Sequence, residues 1–91
     1  MTRRARRERE TMDYLAAARR FIRAAGVRVA DSDEWELAEL VALRAELEAA
    51  IVRGVSGQRS RGRSWAYVGA ALGITRQSAQ ERYGAHSTDP S

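Results

Sequence analysis

Residues 64–84 read S-W-A-Y-V-G-A-A-L-G-I-T-R-Q-S-A-Q-E-R-Y-G, and the rest of the chain is organised around them. Ser64 is a good N-cap for a short helix over about Trp65 to Leu72, because its hydroxyl can accept from an amide of the first turn. Trp65, Val68 and Leu72 fall on one face, while Ala66 and Gly69 keep the other contact thin. Gly73 suits the positive φ of a tight turn, Ile74 drops back toward the core, and Thr75 caps a second short helix. Ala79 is then placed beneath Val68 and Gly69, and Tyr83 closes the far end. Two short helices that cross at a glycine need this thinness, since a bulky side chain would wedge them apart.

Upstream, a first helix is expected from about Glu8 to Ala25, although Thr11 could cap a shorter one. Leu15, Ala18, Ile22 and Ala25 fall on one face with Phe21 and Tyr14 beside it, and Arg19, Arg20 and Arg23 lie away from it. Gly26 fits the left-handed position just past a helix end. Val27 to Asp31 reads as a connection. Either Asp31 with Glu34 or Asp33 with Glu36 then matches the capping-box spacing, and their carboxylates suit a helix N-terminus. Acidic pairs can also serve acid/base chemistry, but no nucleophile, metal ligand or pocket signal accompanies these.

The second helix is expected from about Asp33 to at least Arg53. Leu37, Leu40, Arg44, Leu47, Ile51 and Val55 follow the three-four spacing, Val41 and Leu43 broaden the stripe, and Glu46, Glu48, Arg44 and Arg53 decorate the outer side. Gly54 and Gly57 each weaken continuation by up to about 1 kcal/mol. The helix therefore stops near Arg53, bends, or runs to Arg61 with Gly62 as its stop.

Composition bounds the rest. Ninety-one residues are one domain's worth, able to bury roughly 60% of the unfolded surface. A single proline, Pro90, and abundant alanine, arginine, leucine and glutamate favour helix almost everywhere. The expected fold class is all-α: a small bundle of about four helices, with a basic arm over 1–7, one helical domain over 8–84 and a disordered tail over 85–91. Cysteine is absent and His86 is the one histidine, so a thiolate or histidine-built metal site is not expected, nor is any cofactor. No apolar run approaches the ~20 residues of a membrane span, and the basic start lacks the apolar segment of a signal peptide. The expected location is the cytoplasm.

The positive charge is all arginine, and it is unevenly placed. Residues 1–28 carry nine arginines and three acids, residues 29–53 two arginines and seven acids, and residues 54–84 five arginines and one acid. An acidic helix between basic segments would be repelled by a polyanion and turn from it, or would pair with the first helix.

From Ser64 to Gly84 the chain resembles the helix-turn-helix DNA-binding proteins. Their pattern asks for a small residue inside the first helix, glycine in the turn, an aliphatic residue next, and a small one on the second helix. Gly69, Gly73, Ile74 and Ala79 fill those places. The run S-W-A-x-V-G-x-A-L-G-I-T-R-Q-S-A-Q-x-R is similar to small regulators of high-GC Gram-positive bacteria and phage, and to the region-four module of sigma factors. Two departures are Gly69, where alanine is commoner, and Arg82, where an aliphatic residue often anchors the second helix and Tyr83 can substitute.

The resemblance implies that the first turn of the second short helix reads bases. Those residues are Thr75, Arg76 and Gln77, with Gln80 and Glu81 one turn on. Arginine suits guanine O6/N7, glutamine adenine N6/N7, and glutamate cytosine N4. Arg59, Arg61, Arg63 and Ser64 would hold phosphate near a helix N-terminus, joined by Ser78 and Arg82, and Arg3, Arg4, Arg6 and Arg7 could form an arm on DNA. The alternatives are a solvated basic loop and a frayed N-terminal end.

Three functions follow as expectations. The first is a sequence-specific binder of double-stranded DNA, a transcriptional regulator in the nucleoid, acting as a homodimer because one recognition helix makes few base contacts. The second is a sequence-tolerant architectural protein relying on its arginines. The third is an interaction module whose partner is a protein of the transcription machinery or another regulator. An enzyme is not expected.

Overall fold

A computed structural model describes residues 2–86; of the disordered tail expected over 85–91, Ala85 and His86 instead lie in a 3-10 turn, and 87–91 fall outside the described residues. The protein is all-α, with four helices among the described residues: α1 (Arg3–Ala30), α2 (Glu34–Ser60), α3 (Trp65–Leu72) and α4 (Arg76–Tyr83), followed by a 3-10 turn at Gly84–His86. It divides into two compact units, Met1–Leu43 and Arg44–Ser91, where a single domain over 8–84 was expected.

In the first unit, α1 begins at Arg3, so residues 3–7 are helix and not the separate arm the charge run suggested. Thr2 is its N-cap, accepting from the Ala5 amide at 3.1 Å. The helix also runs through Gly26, which was expected to stop it. Good helix formers on both sides, Arg23, Ala24, Ala25 and Arg28, outweigh a glycine cost of about 1 kcal/mol. The stop comes at Asp31, whose amide donates to the Arg28 carbonyl, while the Ser32 hydroxyl caps the same carbonyl at 3.0 Å. At the start of α2, Glu36 accepts from the Asp33 amide at 2.7 Å. Of the two candidate boxes, Asp33 with Glu36 is the one that shows a bond, through its Glu36 half.

No residue of α1 is buried. Leu15 and Ile22, on the face read from the periodicity, are half exposed, and Phe21 is 77% exposed. On α2, Leu37 and Leu47 are likewise more than half exposed. Helical periodicity marks an apolar face; among the described residues its large side chains stay mostly exposed.

The core lies in the second unit. Val55, Trp65, Val68, Ala79 and Tyr83 are buried together, with Ile51, Val52, Leu72 and Ile74 packed against them. The end of α2 thus crosses Gly54 and Gly57 without a break, because Ile51, Val52 and Val55 are held by α3 and α4. The helix then ends as that continuous case required. Gly62 takes φ 88°, its amide donates to Arg59 and the Arg63 amide to Gln58. Two such bonds from beyond the helix end are a Schellman cap.

Candidate nucleic-acid interface

Each side of the α3–α4 corner is built by caps that the residues dictate. Ser64 Oγ accepts from the Tyr67 amide at 3.0 Å and starts α3. Gly73 ends it at φ 73°, with the Gly73 amide on the Ala70 carbonyl and the Ile74 amide on the Gly69 carbonyl at 2.9 Å, a second Schellman cap. Thr75 Oγ1 accepts from the Ser78 amide at 3.0 Å and opens α4.

Gly69 explains the close crossing. A Cβ there would stand 2.9 Å from the Ile74 carbonyl oxygen and 3.0 Å from that of Thr75. The turn's backbone occupies the place where an alanine methyl would be, so the departure from alanine is a fit and not a defect. Ala79 is 0% exposed in the same layer as Val68. The Arg82 departure resolves too. Arg82 is exposed, and the adjacent Tyr83 anchors α4, 4% exposed, with its hydroxyl donating to Glu48 Oε1 at 3.1 Å. Glu48, expected on the outer side of the second helix, instead meets the end of α4.

With Ala79 and Tyr83 turned inward, the other side of α4 is free. Arg76, Gln77, Gln80 and Glu81 are all exposed. Gln77 Nε2 donates to Glu81 Oε1 at 3.3 Å, so these two steady each other across one turn. Thr75 is less free than its neighbours: its hydroxyl caps α4 and donates to Ser78 Oγ at 3.0 Å. Ser78, Glu81 and Arg82 line a shallow hollow with Ile74. Among the positions proposed for phosphate, Ser78 and Arg82 are therefore brought together.

The loop arginines divide into different roles. Arg59 is partly buried; its guanidinium lies 4.6 Å from the Trp65 ring centroid, and Nη1 donates to the Arg63 carbonyl at 2.9 Å. It ties the loop to α3 as well as carrying charge. Arg63 lies over the half-exposed Tyr67 ring at 4.8 Å, and Arg61 is exposed. The aromatic partners were not singled out from the sequence; an arginine six residues before a tryptophan, across a loop, is no recognised spacing. The N-terminal arginines are helical. Arg4 pairs with Glu8 at 3.3 Å, and Arg3, Arg6 and Arg7 surround a polar hollow with Glu10.

Among the described residues no group of three or more histidines, cysteines or carboxylates could hold a metal, and no helix is long and apolar enough to cross a membrane. Comparison with protein families, curated proteins and solved structures finds no match to this chain.

Proposed function

We propose that the protein binds double-stranded DNA sequence-specifically through a helix-turn-helix, as a homodimer, and regulates transcription at the nucleoid. The observation that carries this reading is the first turn of α4. A rigid corner, closed by Gly69, presents Arg76, Gln77 and Gln80 side by side on solvent, away from the buried Ala79 and Tyr83. A helix held this way can lay those side chains on base edges in a major groove, each good bidentate pair being worth about 1–3 kcal/mol. Arg61, Arg63 and the capped start of α3 supply the phosphate contacts that set register without reading sequence. Ser78 and Arg82 do the same on the other flank of α4.

A sequence-tolerant architectural role is the second reading, favoured by the helical run of Arg3, Arg4, Arg6, Arg7 and Arg9. Titrating labelled duplex from the DNA upstream of its own reading frame, and an unrelated duplex, over a range of salt separates the two. Specific binding predicts tighter binding to the upstream duplex at every salt. Equal affinity for both, with a steep salt slope, would instead establish the second reading.

A further inference from the structure

The first unit presents an apolar seam whose large residues are left exposed among the described residues. Along α1, Leu15, Ile22 and Val29 recur every seventh residue, and Thr11, Ala18 and Ala25 recur between them with the same period. This alternating four-three spacing is the coiled-coil heptad, with large residues at one seam position and small ones at the other. Small residues there let a facing helix approach closely. Yet Leu15 and Ile22 are half exposed, and Tyr14 and Phe21, on one shoulder of the seam, are each 77% exposed. At the elbow, Ala25 and Val29 of α1 and Trp35, Leu40 and Leu43 of α2 line an apolar groove, with Trp35 76% exposed.

Single exposed apolar residues need no explanation, but a continuous seam with an adjoining groove does. Its size suits a stable interface. Three aromatics of roughly 150–250 Å² each, about three-quarters exposed, bring around half of the ~800 Å² per partner that specific interfaces bury.

Charge decides what covers it. α1 holds nine arginines and three carboxylates, whereas residues 31–43 hold five carboxylates and no arginine. Two copies meeting α1 to α1 would set arginine against arginine. Two copies meeting α1 to α2 set basic flanks against acidic ones, and a two-fold axis makes that contact twice.

We infer that the seam is covered by a second copy of this chain, α1 of each copy packing on α2 of the other. This deepens the homodimer of the proposed function. It is tested without DNA, so failure of DNA binding would leave it standing.

The test is a charge exchange on the full chain. Arg19 borders the α1 seam, Arg23 follows one turn on and farther round the same side, and Glu39 and Glu46, seven residues apart, lie on one flank of α2; all four are exposed. Mass is measured by sedimentation at low micromolar concentration, with far-UV circular dichroism alongside. The native chain is expected at twice its chain mass. Arg19→Glu/Arg23→Glu and Glu39→Arg/Glu46→Arg should each dimerise about tenfold or more weakly, because the exchanged positions then face like charge across the α1–α2 contact. Mixed in equal amounts, the two variants should recover both dimer and any lost helix, while Arg19→Lys/Arg23→Lys dimerises as the native chain does. A monomeric native chain would overturn the proposal, whether the helices close on themselves or another protein covers the seam. Variants that dimerise undiminished, or that fail to recover on mixing, would overturn the α1-to-α2 pairing.

Discussion

Gly69 and Ile74 stand so close that a Cβ on the glycine would sit 2.9 Å from the Ile74 carbonyl oxygen. The obstacle is backbone in the α3–α4 turn, not the movable end of a side chain. Gly69→Ala, a good helix former in isolation, must therefore push the turn or tilt α4. Overpacking of this kind costs about 1–3 kcal/mol. Thermal or urea unfolding should show that loss, and DNA affinity should fall with it because the first turn of α4 moves. Unchanged stability would show that the crossing is looser than its geometry.

The opposite sign is expected on α2. A Cβ at Gly54 or Gly57 would meet nothing within 4 Å, and neither glycine has positive φ. Gly54→Ala and Gly57→Ala should each stabilise the second unit by about 0.5–1 kcal/mol, through helix propensity alone. The shift in urea midpoint reads this directly. Destabilisation by either would mean that α2 needs to bend there.

Tyr83 is held from two sides, by burial and by the hydroxyl it donates to Glu48. Tyr83→Phe keeps the ring and removes the bond, which should cost about 1 kcal/mol. Glu48→Ala should cost a similar amount, and the double variant less than the sum of the two. Additive losses in that cycle would deny the pairing.

Arg61 and Arg63 carry a different expectation. Arg61→Ala and Arg63→Ala should weaken binding to every duplex by a similar factor and lower the slope of log affinity against log salt by about one each. Fluorescence anisotropy over a salt series measures both. Arg63→Ala also removes the guanidinium over Tyr67, so its folded stability should be checked in parallel. A loss confined to one sequence would reassign these residues to base reading.

What could be read from the chain was what is local. Ser64, Gly73 and Thr75 cap where their residue types say they should, since capping is a matter of a few neighbouring bonds. Gly62 closes α2 for the same reason. Burial was not legible in the first half. The stripe through Leu15 and Ile22 announces an apolar face, but periodicity does not say whether the same chain covers it. Gly26 misled because propensity is a sum over neighbours and not a veto. The tie between Glu48 and Tyr83 spans thirty-five residues and leaves no local mark. At the candidate interface, exposure of Arg76, Gln77 and Gln80 followed from the inward positions of Ala79 and Tyr83. That the Thr75 hydroxyl donates to Ser78 Oγ did not, because either side chain could equally have pointed outward.

The central claim is that the first turn of α4 reads bases, and selection of bound duplexes from a random library tests it most directly. The native protein should enrich a motif, with two related half-sites if it binds as a dimer. Arg76→Ala and Gln77→Ala, folded as the native protein by circular dichroism, should each relax selection at one position per half-site, at a cost of about 1–3 kcal/mol on the enriched sequence. No enrichment by the native protein, or the same motif with undiminished affinity from both variants, would contradict it.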